Sequence, residues 1–403
     1  MPKPTSDRRA TERKHPWQMV RLGDVCNEIN DRIQSSKIAV GEYVTTDSMV
    51  KDRGGIVQAG YVPSDVGLVE YHKGDVLIAN IRPYLKKIWL ADHDGGCSSD
   101  VVVFRSNIDG LSSEYLYSVL SQDAYFEYVM QKPRGTKMPR GDRDWMKEFR
   151  FPLPTLTEQR AIVARLEREL AAVEKMKNVF EALAETAKAE FKAELKEVFE
   201  KISRGGAETR RLGEVCELIK DGEHKTPRRV ETYCGYYLLS ARNVKDDNLS
   251  LEDVDYVDKE EFDRIARRCR PIAGDVLISC SGSVGRVCVA GDASYVMVRS
   301  AAMVRASRFD SRFLMFMLQS DLLQKQIAKL QRQAAQANLF LGAIAELNVF
   351  VPPLSAQREV VARLDSAKAR AEKLEAKARE GVAVCETMRK AILKEAFDLG
   401  RKG

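Results

Sequence analysis

Long apolar runs are missing from this 403-residue chain. No stretch approaches the ~18 uninterrupted apolar residues of a membrane helix, so no spanning segment is expected. The opening sixteen residues, MPKPTSDRRATERKHP, carry charge with no apolar region behind it. They are read as a disordered basic arm rather than a signal peptide, and the expected location is cytoplasmic. Eight cysteines are present but no CxxC pair, which argues against a zinc ribbon or a disulfide framework. Cys26 and Cys216, in RLGDVC and RLGEVC, read as small buried apolar residues. His15, His72, His93 and His224 lack metal-ligand spacing. There is no GxxxxGK phosphate loop and no HExxH, and SGSVG has neither the spacing nor the strand-to-helix setting of a dinucleotide fingerprint. No catalytic residue, metal site or cofactor is assigned, and the chain is expected to do no chemistry by itself.

What is there comes twice. Residues Pro154–Glu167 read PTLTEQRAIVARLE and residues Pro352–Asp365 read PPLSAQREVVARLD. At constant offset they share Pro, Leu, Gln, Arg, Val, Ala, Arg and Leu. Each copy follows a globular-looking segment and opens a long helical pattern. A period near half the chain is too long for a solenoid and reads as a tandem duplication. The expected divisions are a basic arm over 1–16, a first globule over 17–155, a helix over 156–204, a second globule over 209–353 and a helix over 354–400. A hydrophobic fraction of 44% is ordinary for a globular protein, and a net charge of +6 is mildly basic. That charge suits a nucleic-acid partner without establishing one.

The globules share further landmarks. KGDVLIANIRPYLKKIWLA over 73–91 and AGDVLISCSGSVGRVCVAG over 273–291 each read as strand, loop, strand behind a Gly-Asp turn. Apolar spacing makes 112–130 and 310–328 helical. Polar loops are expected over 131–145 and 329–340, and FRFPLP and NVFVPP close each globule as a strand running into proline.

In the first long helix, Ile162, Leu166, Leu170, Val173, Met176, Phe180, Leu183 and Ala187 form one stripe, continued by Phe191, Leu195, Val198 and Ile202 until Gly205-Gly206. In the second, Leu364, Ala371, Ala378, Cys385, Ile392 and Leu399 recur by sevens, with Ala367, Leu374, Gly381 and Met388 on the other seam position. Roughly 45 residues at 1.5 Å each give about 65–70 Å. A stripe that long needs a partner, and the other copy, running antiparallel, is the obvious one. The fold class is therefore α+β: two tandem α/β domains separated by two long antiparallel coiled-coil helices.

The loops supply the binding candidates. The first hairpin loop presents Arg82, Tyr84, Lys86 and Lys87, and the loop after the helices presents Arg134, Lys137, Arg140 and Arg143. The second globule offers Ser281, Ser283 and Arg286, then Arg332, Gln333, Gln336 and Asn338. Arg and Lys neutralise phosphate, and Arg, Lys, Gln and Asn pair with guanine or adenine edges. For any one of these side chains, plain solvated surface is an equally good reading.

The two PLPTLTEQRAIVARLE-type segments, with GDVLIANIRPYLKK, DGEHKTP and GDVLISCSGSVGR, resemble the specificity subunits of type I restriction-modification enzymes. The resemblance covers nearly the whole chain, and DGEHKTP adds His224 and Lys225 to the DNA-binding candidates. Glu158 matches the usual acid before Gln159, whereas the second copy has Ala356. The resemblance implies that each globule is a target recognition domain reading half of a split double-stranded DNA sequence, and that the helices set the gap. It implies two docked methyltransferase (modification) subunits, joined by restriction–translocation subunits. S-adenosylmethionine, ATP and Mg would then belong to those partners. The alternatives kept open are a standalone two-module DNA-binding repressor or architectural protein, an interaction scaffold without DNA, and a fused nuclease or methylase that would cleave or methylate DNA by itself.

Overall fold

The computed structural model describes residues 17–332 and 338–398. The chain divides into two compact units, residues 1–180 with 380–403, and residues 181–379.

In unit 1 the core is built around the GDVLI run. Strand Val76–Ala79 lies inside an antiparallel sheet of four, in the order Cys26–Glu28, Val101–Ser106, Val76–Ala79, Ile88–Leu90. Alternate side chains leave by opposite faces of a strand. Val76, Ile78, Val102 and Phe104 pack with Leu116, Val119 and Phe126 of the helices. Leu77, Ala79, Val101 and Val103 pack with Val69, Tyr71 and Cys97 of a second sheet. Burial on both faces is why the run is apolar throughout instead of alternating. The second sheet orders Arg32–Gln34, Gly67–Tyr71, Gly95–Cys97 and Tyr43–Val44, with the last pair parallel.

Unit 2 repeats the plan. Strands Leu218–Asp221, Ala301–Arg305, Val276–Ser279 and Val287–Val289 take the same antiparallel order. Val276, Ile278, Ala302 and Val304 face Phe313, Leu314 and Met317, while Leu277, Ala301 and Met303 face Leu239, Tyr295 and Met297. The hairpin expected at each GDVLI segment is present. So is its Gly-Asp turn, with Gly74 at φ 93° and Gly274 at φ 90°. The turn aspartates serve the fold. Asp75 takes both Nε and a terminal nitrogen of Arg105 at 2.7 Å, and Asp275 takes those of Arg305 at 2.8 and 2.7 Å.

Three expectations are corrected. Residues 112–130 form two helices, Ser113–Leu120 and Asp123–Val129, because Gln122 between them is extended. The matching segment breaks at Ser320 into Ser311–Gln319 and Asp321–Arg332, so residues 329–332, expected as loop, are helical. The loop expected over 131–145 ends earlier, where Asp142 caps helix Arg143–Lys147. Helix Lys259–Ala266 was not foreseen. Its start is legible as Asp258 accepting from the Glu261 amide at 2.9 Å.

The long helices run Leu156–Arg204 and Leu354–Asp398. Within unit 1 their segments pair antiparallel: Arg165 meets Glu395 at 3.0 Å and Leu166 shares a core with Leu393, Ala396 and Phe397. Within unit 2, Arg363 meets Glu194 at 2.9 Å and Leu364 packs with Leu195, Val198 and Phe199. The seam is as expected at Leu166, Val173, Ala187, Leu364, Ala371, Ala378 and Cys385, all buried. Met176 and Met388 depart from it, at 39% and 40% exposed, and beyond Met388 the buried positions are Leu393 and Ala396. Leu399 lies outside the described residues.

Candidate nucleic-acid interface

Each central sheet sends its loops out at one end, because Ala79 pairs with Val101 and Ser279 with Ala301. In unit 1 this end brings the two basic loops together. The Arg82 amide donates to the Pro139 carbonyl at 2.7 Å, the Gly141 amide to Asn80 at 3.1 Å, and Arg140 bridges Ile81. In unit 2 the Leu339 amide donates to Cys280 at 2.9 Å, which is the same docking in the second copy.

The expected cations of unit 1 separate into two groups. Lys86 shares the Asp123 carboxylate with Arg53, at 2.7 Å from Lys86 Nζ. Lys87 Nζ donates to the Thr46 carbonyl at 2.6 Å. Arg143 reaches Glu28 at 2.7 Å and the Ser99 carbonyl at 2.6 Å. Arg134 pairs with Asp142 at 2.8 Å and Arg140 with Asp100 at 3.4 Å. These five have local partners. Arg82, Tyr84 and Lys137 are exposed, and among the described residues neither Arg82 nor Lys137 makes an ion pair. Arg82 also sits at φ 53° and Lys86 at φ 51°, so left-handed backbone at both ends bends residues 82–86 into a tight knuckle.

The ion pairs fix their acids in charged form. Burial pushes the Glu28 carboxyl up, but hydrogen bonds from Lys147 and Arg143 outweigh it and hold the group below the ordinary glutamate range. Burial likewise raises Asp123, and Lys86 and Arg53 together bring it below its ordinary value.

In unit 2, His224, Ser281 and Asn338 line one cavity of about 210 Å³, together with Asp221 and Arg299. Asp221 holds His224 at 2.7 Å and Arg268 at 2.9 Å. Lys225 is exposed, its amide donating to Glu223 at 2.8 Å. Ser283 is exposed, and its carbonyl accepts from the Ser279 hydroxyl at 2.6 Å. Arg286 is not brought to this cavity; it lines a separate cleft with Phe191, Lys192 and Asp246. Arg332 ends its helix, and Gln333 and Gln336 lie outside the described residues. Arg299 was missed by sequence reasoning, since a single arginine after the strand Tyr295–Met297 carries no pattern.

Among the described residues, no group of three or more His, Cys, Asp or Glu could hold a metal ion. Burial pushes the Cys26 and Cys280 thiols up to about 12, so neither is a thiolate at neutral pH. No helix among the described residues is long and apolar enough to cross a membrane. Each unit presents polar and cationic loops at one end of its central sheet.

Comparison with known proteins agrees with that picture. Residues 14–182 and 204–382 each match the family described as the type I restriction modification DNA specificity domain. The EcoDI specificity subunit of Escherichia coli is 31% identical over 116 residues, 28% of this chain and 26% of that protein. The MjaVIII specificity subunit of Methanocaldococcus jannaschii is 21% identical over 373 residues, 87% of this chain and 85% of that one. A chain from a solved type I R-M system is 25% identical with a TM-score of 0.73, over 95% of this chain and 97% of its own. The HsdS subunit of Thermoanaerobacter tengcongensis is also 25% identical, with a TM-score of 0.56 over 96% and 98%. Two matched domains that together span most of the residues, on a fold shared end to end with solved relatives, make this chain a member of the type I restriction-modification DNA specificity family.

Proposed function

We propose that this chain is the DNA sequence-specificity subunit of a type I restriction-modification complex, and that each unit reads one half of a bipartite double-stranded target. The observation that carries this is the repeated platform: the same four-stranded sheet, with docked polar loops at the same end, in both units. Two such platforms on one chain suit two sites on one duplex. Cations such as Arg82 and Lys137 would neutralise phosphates or reach guanine, and Ser281, Asn338 and His224 would meet base edges. The differing loop chemistry of the two units would make the two half-sites different in sequence.

In this reading the chain performs no bond-breaking step. Two methyltransferase subunits dock on it and restriction–translocation subunits join them, all in the cytoplasm. S-adenosylmethionine, ATP and Mg are held by those partners. The long helices set the gap between half-sites. Mapping methylated bases across the source genome is the test. The expected result is one split motif with a fixed gap, lost when the gene for this chain is deleted. Persistence of every methylation motif after deletion would overturn the proposal.

A further inference from the structure

Two arginines of the loop after Val129, Arg134 and Arg140, stay exposed but pair with acids of their own unit. Arg134 and Arg140 exchange both backbone hydrogen bonds, at 2.8 and 2.9 Å, and so close a short tip over residues 135–139. Gly135 takes φ 80°, the left-handed conformation such a turn asks of glycine. The stem is pinned from the side, by Arg140 bridging Ile81 and by the Arg82 amide on the Pro139 carbonyl at 2.7 Å. Both stem guanidinium groups are engaged, with Asp142 and Asp100. At the tip stand Thr136, Lys137 and Met138, all exposed, with Met138 at 44%. The exposed part of the Met138 side chain leaves apolar surface on the stapled tip available for a ligand.

We propose that residues 135–139 form a pre-ordered finger that enters the major groove of the half-site read by unit 1, with Thr136 and Met138 against base edges and Lys137 on a phosphate. This assignment rests on the DNA-reading role proposed above. The groove is ~12 Å wide and admits a two-stranded ribbon. A threonine hydroxyl pairs with either kind of base-edge group, and an apolar side chain meets the thymine methyl. A lysine ammonium is a point charge on a flexible stem and suits phosphate. Arg134 and Arg140 then act by ordering the finger before DNA arrives, which lowers the entropy cost of binding.

The test uses the full chain co-produced with its methyltransferase subunits, acting on a randomised duplex library whose methylated members are sequenced. For the double variant Thr136→Ala with Met138→Ala, preference at one or two adjacent positions of one half should relax about tenfold. The other half and the gap should stay as they were. Lys137→Ala should weaken binding on all sequences alike and reduce the salt slope by about one. Unchanged preference at every position in the double variant overturns the finger while leaving the specificity reading intact. A wild-type complex with no split motif overturns both. A double variant that melts as the wild type does yet binds no duplex at low salt also overturns the finger, because the tip would then carry general affinity. Should the double variant melt early, Thr136→Val and Met138→Gln are read the same way.

Discussion

Gln159 and Gln357 are identical letters of the repeat, and the structure gives both the same task. Gln159 is fully buried; its Oε1 accepts from the Ser112 amide at 2.9 Å, and its Nε2 donates to the Gly110 and Pro154 carbonyls at 2.7 and 2.8 Å. Gln357 repeats this with the Asp310 amide at 2.8 Å and the Arg308 and Pro352 carbonyls at 3.0 and 2.8 Å. Each clamps the start of a long helix to its own globule. Gln159→Ala would leave one donor and two acceptors without this partner, at a cost of roughly 1–3 kcal/mol. The expected outcome is a lower urea midpoint at unchanged slope. Thr155 and Glu158 add a reciprocal cap, with the Thr155 amide donating to Glu158 at 2.9 Å, which Ala356 cannot reproduce. Glu28 adds a pH term. Its folded pKa is depressed, so its stabilisation is present above the unfolded value of about 4.3 and fades as pH falls through the folded one. Glu28→Gln should therefore destabilise at neutral pH and flatten the acid limb of a stability–pH curve below roughly pH 4.3. An acid limb as steep as the wild type's would contradict this.

At the scale of elements, the helix seam turns on size. Gly381 faces Phe180, and a Cβ there would lie 2.5 Å from the ring. Gly381→Leu should overpack the pair and cost about 1–3 kcal/mol, seen as a lower melting temperature. Equal melting would mean that the helices separate easily at that point. The glycine was legible as a small seam residue, but its partner was not, because antiparallel register is a tertiary fact. The strands at GDVLI were legible because a fully buried strand has an apolar run of strand length behind a Gly-Asp turn. The break at Ser121-Gln122 was hidden because apolar spacing continues across it, although Ser-Gln-Asp is itself a turn signal. The basic loops were legible by composition. Which arginines are spent on ion pairs was not, since Arg140 finds Asp100 and Arg143 finds Glu28 only in the folded sheet.

For the whole molecule, the proposed function gives sequence choice to the globules and the gap to the helices. A heptad added to each long helix at matched seam positions adds about 10.5 Å, or about three base pairs along the duplex. It also turns the second half-site by roughly a third of a turn. Methylome sequencing should then show either a gap longer by a few base pairs or loss of methylation, with no change in either half-site sequence. The most direct test exchanges residues 209–353 for the corresponding domain of another family member and maps methylation in the resulting strain. One half of the motif should change while the other half and the gap persist. A change in both halves, or an unchanged motif, would contradict it.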